Sequence, residues 1–453
     1  MRDYPPFDAW LDDTGPAALV IREHLMPVEG LDGVVFPATY APTQASDDQV
    51  TKEQILVSAK VEDKKAELSW KKQRFGGGYN IDYFDDGSNV CLIDSVGSQA
   101  NRIEPIFTNP PYADLVPQIV INVGRKSVNL LEAGHRAGDA IARCSELKNK
   151  LQAAFREVLK GNVEELAKIA PTSLVFGVWD SRGTQAKLPR LVSSTIRAFN
   201  VRRLTRSANY LVQQQLDYIK DEIMPQWDLL TETEKEKLSE KGFLNALASA
   251  THGGVIALGG IRRDATLSLA ALRLLTAREA DGAIATVRTT ALRRYILGLA
   301  LIAITAPQSA YLRQGCQLVP DPAKPREFKL VQANGRREDF SLPNEEPFTF
   351  AKAATDDFKV HPSGTYSFVP ELAEQERTEA SAKMKGEITT IDVVAKKFTL
   401  KPGKKKPEVE VTTTDATVYL KGKSDSTFEA VVVAKAKVQV ELANGVAVKV
   451  TGK

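Results

Sequence analysis

Residues 181–216 contain no Asp or Glu, yet they carry Arg182, Lys187, Arg190, Arg197, Arg202, Arg203 and Arg206. A guanidinium grips a phosphate with two parallel hydrogen bonds, and six of these seven cations are Arg, which suits a polyanion track. Thr184, Ser193, Ser194, Thr195, Ser207 and Asn209 add neutral donors for backbone oxygens. Phe199 and Tyr210 offer flat faces on which bases can stack. An exposed charged hairpin is the structural alternative.

A second cluster runs from His252 through Gly253, Gly254, Gly259, Gly260, Arg262 and Arg263 to Asp264. Paired glycines let backbone amides approach a phosphate closely, with the arginines supplying charge. The same glycines would also serve a tight strand turn. Neither a P-loop nor a dinucleotide fingerprint is present. A third cluster is Gly134-His135-Arg136-Ala137-Gly138-Asp139. On a helix, His135 and Asp139 would be neighbours at i and i+4, a pairing able to orient a general base but more often a structural hydrogen bond. No nucleophile or metal-ligand spacing accompanies these clusters. Cys91, Cys144 and Cys316 are too scattered for a zinc site or a disulfide framework and read as buried reduced thiols.

The elements that must position these groups follow from apolar patterning. Two short strands are expected near residues 17–21 and 33–36, followed by a polar insertion over 41–87. A helix is expected over 88–102, a strand over 115–121, and a helix from Ser127 through Ile141. Further helix is expected over 146–168 and a buried strand over 172–179. The next expectations are charged helix over 221–250, a glycine-rich turn and strand over 251–264, and helices at 267–275 and 292–305. Strands alternating with helices at irregular spacing predict an α+β fold on a ferredoxin-like sheet, with a doubly wound sheet as the alternative. Residues 1–320 form the expected main domain, and 321–384 a peripheral segment and linker. Residues 385–453 read as a small antiparallel β-barrel of short alternating strands, a docking module or accessory oligonucleotide-binding barrel.

At 453 residues and 43% apolar composition the chain can bury a sizeable core. Its net charge of +3 hides an asymmetry. Residues 1–180 hold 19 basic against 26 acidic side chains, residues 181–320 hold 19 against 11, and the remainder 22 against 20. A basic middle beside an acidic front suits a polyanion on one side and a neighbouring copy on the other. Met1-Arg2-Asp3-Tyr4-Pro5-Pro6 lacks a signal-peptide core, and the apolar run 295–306 is too short to span a bilayer, so a cytoplasmic location without membrane contact is expected.

Four stretches together resemble a known family: 95–104 (Ser-Val-Gly-Ser-Gln-Ala-Asn-Arg-Ile-Glu), 135–140 (His-Arg-Ala-Gly-Asp-Ala), 171–184 (Pro-Thr-Ser-Leu-Val-Phe-Gly-Val-Trp-Asp-Ser-Arg-Gly-Thr) and 259–264 (Gly-Gly-Ile-Arg-Arg-Asp). They look like the Cas-seven-type backbone subunit, of the RAMP superfamily, in type I-G (formerly I-U) CRISPR Cascade. The resemblance covers roughly residues 15–320 and leaves the C-terminal barrel unmatched. It implies an RRM-like core, a homo-oligomeric stack of several copies along a CRISPR RNA, and pairing of that RNA with target DNA in antiviral defence. The implied partners are the large subunit, the end-capping and RNA-processing subunit and, indirectly, a recruited nuclease-helicase. No cofactor or catalytic residue is implied. The RNA-binding candidates are Asn101, Arg102, His135, Arg136, Arg182, Thr184, Lys187, Arg190, Arg197, Arg202, Arg203, Arg206, Gly259, Gly260, Arg262 and Arg263. A base-displacing hairpin is expected in 184–200 or in the 41–87 insertion. Two alternatives stay open: an RNA-guided ribonuclease like related RAMP backbones, using a loop aspartate such as Asp86, Asp180 or Asp264, and an RNA-binding protein outside CRISPR systems.

Overall fold

The computed structural model describes residues 7–41, 77–210, 227–240, 246–343, 345–381, 383–402, 407–422, 424–443 and 446–452. The chain is α+β and divides into two compact units. The first comprises residues 1–120, 128–139 and 149–365, and the second 121–127, 140–148 and 366–453. Most of the 41–87 insertion lies outside the described residues.

A nine-stranded sheet organises the first unit. Its main strands are β1 (Ala18–Pro27), β2 (Asn89–Asp94) and β3 (Val192–Phe199). Strands β4 (Val201–Tyr210) and β5 (Ala246–Ala257) form a separate ribbon that joins β3 to β6 (Ile261–Ser268). Strands β7 (Cys316–Pro320) and β8 (Glu327–Val331) complete the set. Across the sheet, β7 and β8 both pair with β1, then follow β6, β3 and β2, each neighbouring pair antiparallel. The 321–384 region is therefore more than a linker, because β8 is an integral strand beside β1.

Strict alternation makes β1 two-faced: Leu19, Ile21, Glu23 and Leu25 are buried while Val20, Arg22 and His24 are half-buried. The inner face is covered by α1 (Val96–Ile103) and α2 (Thr286–Thr305). Ser95 caps α1 by accepting from the Ser98 amide at 3.2 Å. Helix α2 buries Leu292 and nearly every residue from Arg294 to Ile304, so it is apolar all round as a core helix should be. Burial pushes the Cys91 thiol up to about 12 and Cys316 to about 11, and all three cysteines are buried and unpaired.

Several elements differ from expectation. Residues 89–94 are strand, because the β-favouring run Val90-Cys91-Leu92-Ile93 precedes the cap that starts α1. The segment from Ser127 to Ile141 is a strand end, two 3₁₀ turns and the start of a short helix. Helix over 146–168 is split at Gly161 into Lys148–Leu159 and Glu164–Ile169. The expected strand 172–179 is a buried helical turn, Thr172–Phe176, stopped by Gly177 at φ 80°. Within 221–250 the helix is Glu232–Glu240, residues 246–250 are strand, and much of the rest lies outside the described residues.

The second unit contains α3 (Pro370–Ser381), tied to its own earlier segment by Arg143, whose Nε donates to Glu376 at 2.6 Å and Nη2 at 2.9 Å. Beyond it, β9 (Lys383–Asp392), β10 (Lys397–Lys401), β11 (Val409–Lys421), β12 (Lys437–Ala443) and β13 (Val446–Gly452) close a barrel. The third and fifth barrel strands pair in parallel, and α4 (Phe428–Val431) lies between the third and fourth. The barrel is thus neither wholly antiparallel nor wholly β. Its order, 1-2-3-5-4 returning to 1, is that of an oligonucleotide-binding (OB) barrel.

Candidate nucleic-acid interface

The outer face of the sheet sets cations side by side. Arg262 on β6 lies directly across from His24 on β1 and from Arg197 on β3, so one row crosses three strands. Like charges opposite one another destabilise a sheet, so two adjacent arginines favour an anion above them. The neighbouring row holds one acid, Asp264, which accepts from Arg262 Nε at 2.9 Å and Arg22 Nε at 3.4 Å. The Arg262 guanidinium also lies 4.6 Å from the Phe199 ring centroid, giving the face a flat aromatic-cation plate.

From this face the chain continues into the β4–β5 ribbon. Asn200 adopts φ 48°, and on the returning strand Gly260 adopts φ 81°, so both chains bend at one level. A Cβ on Gly259 would meet the Phe199 carbonyl oxygen at 2.8 Å. The Gly259 amide donates to Phe199 O at 2.8 Å and the Gly260 amide to Ala257 O at 3.1 Å. These glycines therefore serve the bend, and their amides are committed within the chain rather than presented to a phosphate. Arg202, Arg203 and Arg206 stand exposed along the ribbon beyond it.

A third element is the loop between the two-residue strands Val178–Trp179 and Lys187–Leu188, which pair antiparallel. Asp180 is 2% exposed and organises the turn. Its carboxylate accepts from the Gly183 amide at 3.1 Å, the Thr184 amide at 2.6 Å and the Thr184 hydroxyl at 2.8 Å. The loop holds Arg182 and Lys187 in solvent, and Arg190 follows, also exposed. Trp179, which residue-type reasoning passed over as core, is 55% exposed with Lys187 Nζ 5.4 Å from its ring. Its position two residues ahead of the acid-free, basic window was the available signal.

Of the other sequence candidates, Arg136 and Arg263 sit inside the molecule. Arg136 is 4% exposed, with Nε 2.6 Å from Glu104 Oε2 and Nη2 donating to Asn101 Oδ1 at 3.2 Å. Burial lowers the Arg136 pKa and pushes Glu104 up to about 7, with the partner's charge opposing each shift. Arg263 is 2% exposed on the inner face. It belongs to a chain of bonds across four strands: Gln99 Nε2 to Asp94 at 2.7 Å, Ser194 Oγ to Gln99 at 2.9 Å, Arg263 Nε to Ser194 at 3.1 Å, and Arg263 Nη1 to Glu23 at 2.9 Å. Arg102, partly exposed, donates to Asp94 at 3.2 Å at one end of that chain. His135 is exposed in a 3₁₀ turn, not a helix, and its amide donates to Asp139 at 3.2 Å. The structure thus gathers Arg197 and Arg262 on one face, Arg202, Arg203 and Arg206 on the ribbon, and Arg182, Thr184 and Lys187 on the loop. Arg136 and Arg263 are buried in internal networks, to which the exposed Asn101 and Arg102 are bonded. Among the described residues no group of three His, Cys, Asp or Glu side chains could hold a metal ion, and no helix is long and apolar enough to cross a membrane.

Residues 19–203 match the family model described as CRISPR-associated protein GSU0053. Over that stretch the chain is similar to CRISPR-associated proteins. That likeness suggests a role in CRISPR defence, among the components of a CRISPR complex. The match takes in β1 to the start of β4, hence the Asp180 loop and the Arg197 strand. The returning strand with Arg262, helix α2 and the barrel lie outside it. No curated protein matches the chain.

Proposed function

We propose that this protein is a backbone subunit of a type I CRISPR surveillance complex, of the Cas-seven RAMP kind found in type I-G systems. Several copies coat the CRISPR RNA and present it for pairing with target DNA. The observation that carries the reading is the row His24–Arg262–Arg197 on the half-buried outer face of the sheet, continued by the exposed Arg202, Arg203 and Arg206 on the ribbon. A subunit that holds phosphates without reading sequence needs such a row, since base pairing supplies the specificity. The strand order β8–β1–β6–β3, with α1 and α2 packed against the sheet, supports an RRM-like core. In this reading the ribbon, rather than 184–200 or the 41–87 insertion, is the hairpin that displaces a guide base.

The reading makes the subunit a binder that does not cut. Asp180 is committed to its own loop, Asp264 to two arginines, and Asp86 accepts from the Ser88 amide at 2.9 Å and hydroxyl at 2.6 Å. Titration of the full chain with labelled single-stranded RNAs of unrelated sequence tests the assignment. Affinities should agree across sequences. Arg197→Ala with Arg262→Ala should lower the log–log salt slope by up to about two. Wild-type affinity and slope in that double variant would remove the sheet face from the RNA track.

A further inference from the structure

Trp179 presents a large aromatic ring to water at a place where the chain has made its backbone rigid. Tryptophan is usually among the better-buried side chains, and 55% exposure leaves much of its apolar surface wet. The ring is not there because the loop is slack. Asp180 ties three donors of the turn, the Asp180 amide donates to Ala186 O at 2.9 Å, and the Gln185 amide returns to Asp180 O at 2.9 Å. From behind, Gly138 abuts the strand so closely that a Cβ there would meet the Trp179 carbonyl oxygen at 2.9 Å. The ring is therefore held on a stiff support with its face toward solvent.

We propose that Trp179 is a stacking platform for one base of a bound single-stranded RNA, with Lys187 and Arg182 taking the flanking phosphates. The proposal rests on the RNA-binding reading above and assigns that reading a specific aromatic contact. Charge decides in favour of this ring over the other exposed aromatics nearby in sequence. Tyr83 and Phe84 are 69% and 53% exposed, but Asp82, Asp85 and Asp86 flank them, so a phosphodiester there would meet repulsion. Around Trp179 the cations Arg182 and Lys187 are exposed, and the loop's one acid, Asp180, is buried. Lys187 already lies over the ring, an arrangement a base can replace, because stacking on tryptophan outweighs an exposed cation–π contact. The displaced ammonium then stands beside the phosphate of the same nucleotide.

The test uses the full chain, a twenty-nucleotide oligouridine and an oligothymidine of equal length, read by tryptophan emission and by competition binding. RNA should quench the emission of the wild type, and Trp179→Phe should lack that quenched component while binding within about twofold of wild type. Trp179→Ala should bind about tenfold more weakly with the salt slope unchanged, because no phosphate contact is lost. RNA bound with equal affinity by Trp179→Ala, or quenching by the DNA probe alone, overturns the stacking role and leaves the RNA-binding reading standing. A chain that binds no RNA at all overturns both.

Discussion

Arg263 shows how a basic residue in a basic motif can belong to the interior. It sits one position from Arg262, which faces outward, and the alternation of a strand sends it to the opposite face. There its Nη2 donates to the Ile304 carbonyl at 2.9 Å, and Arg326 Nε shares Glu23 with it at 2.8 Å. Removing the carboxylate strands a desolvated cation, so Glu23→Gln should cost about 3–5 kcal/mol. Urea unfolding should show a lower midpoint at unchanged slope; an unshifted midpoint would show that water reaches Arg263. Glu104 makes a pH-dependent counterpart. Burial raises its pKa to about 7 against the pull of Arg136. A carboxyl raised on folding contributes stability that is full below its unfolded value and lost as pH rises through about 7. Between pH 5.5 and 8 the wild-type melting temperature should therefore fall more steeply than that of Glu104→Gln, by at most about 1.4 kcal/mol of stability per pH unit. Parallel melting curves would refute this.

At the scale of elements, the sequence was most legible where one physical signal dominated. The core helix at 292–305 and the strands at 17–21 and 33–36 are strongly apolar, and each overlaps an observed element of that type. Legibility failed where two signals competed. Residues 172–179 are as apolar as a buried strand, and only the positive φ at Gly177 separates the helical turn from the two strand residues after it. The Gly259-Gly260 pair looked equally fit for a phosphate cradle or a turn, and the approach of Gly259 to the Phe199 backbone shows the turn. The ribbon escaped notice because its strands are separated by some thirty-five residues of charged sequence, so no local hairpin signal joins β4 to β5. In the candidate site, charge was readable and direction was not. A run of arginines reports a polyanion track, but which of them face outward depends on register, which only the paired strands reveal.

At the scale of the molecule, the barrel raises the question of what the C-terminal region adds. In an OB order, nucleic acid would lie across the second and third strands, here β10 and β11. On that face Lys397 is paired with Glu410 at 2.9 Å and Lys401 with Glu408 at 4.0 Å, and Phe398 is buried inward. Exposed pairs of this kind contribute little stability, but they offset the charges of Lys397 and Lys401 on this face. The barrel core is drawn from its own strands and α4: Ile388, Phe398, Leu400, Val411, Phe428, Val438, Val440 and Val450. A stop after Ser381 leaves that core whole on the removed piece and keeps α3, with Glu376, bound to Arg143. The shortened chain should remain folded and hold RNA within about threefold of the full chain, since a cut between self-contained cores exposes little apolar surface. A stop at Thr365 should behave differently. It removes Glu376 and the Val369 amide that donates to Cys144 O at 2.8 Å, leaving residues 140–148 without their partners. Gel filtration and RNA titration of the two truncations decide the matter. Aggregation of the chain ending at Ser381 would make the barrel part of the folding core, and a folded chain with tenfold weaker RNA binding would make the barrel a second nucleic-acid site despite its paired charges.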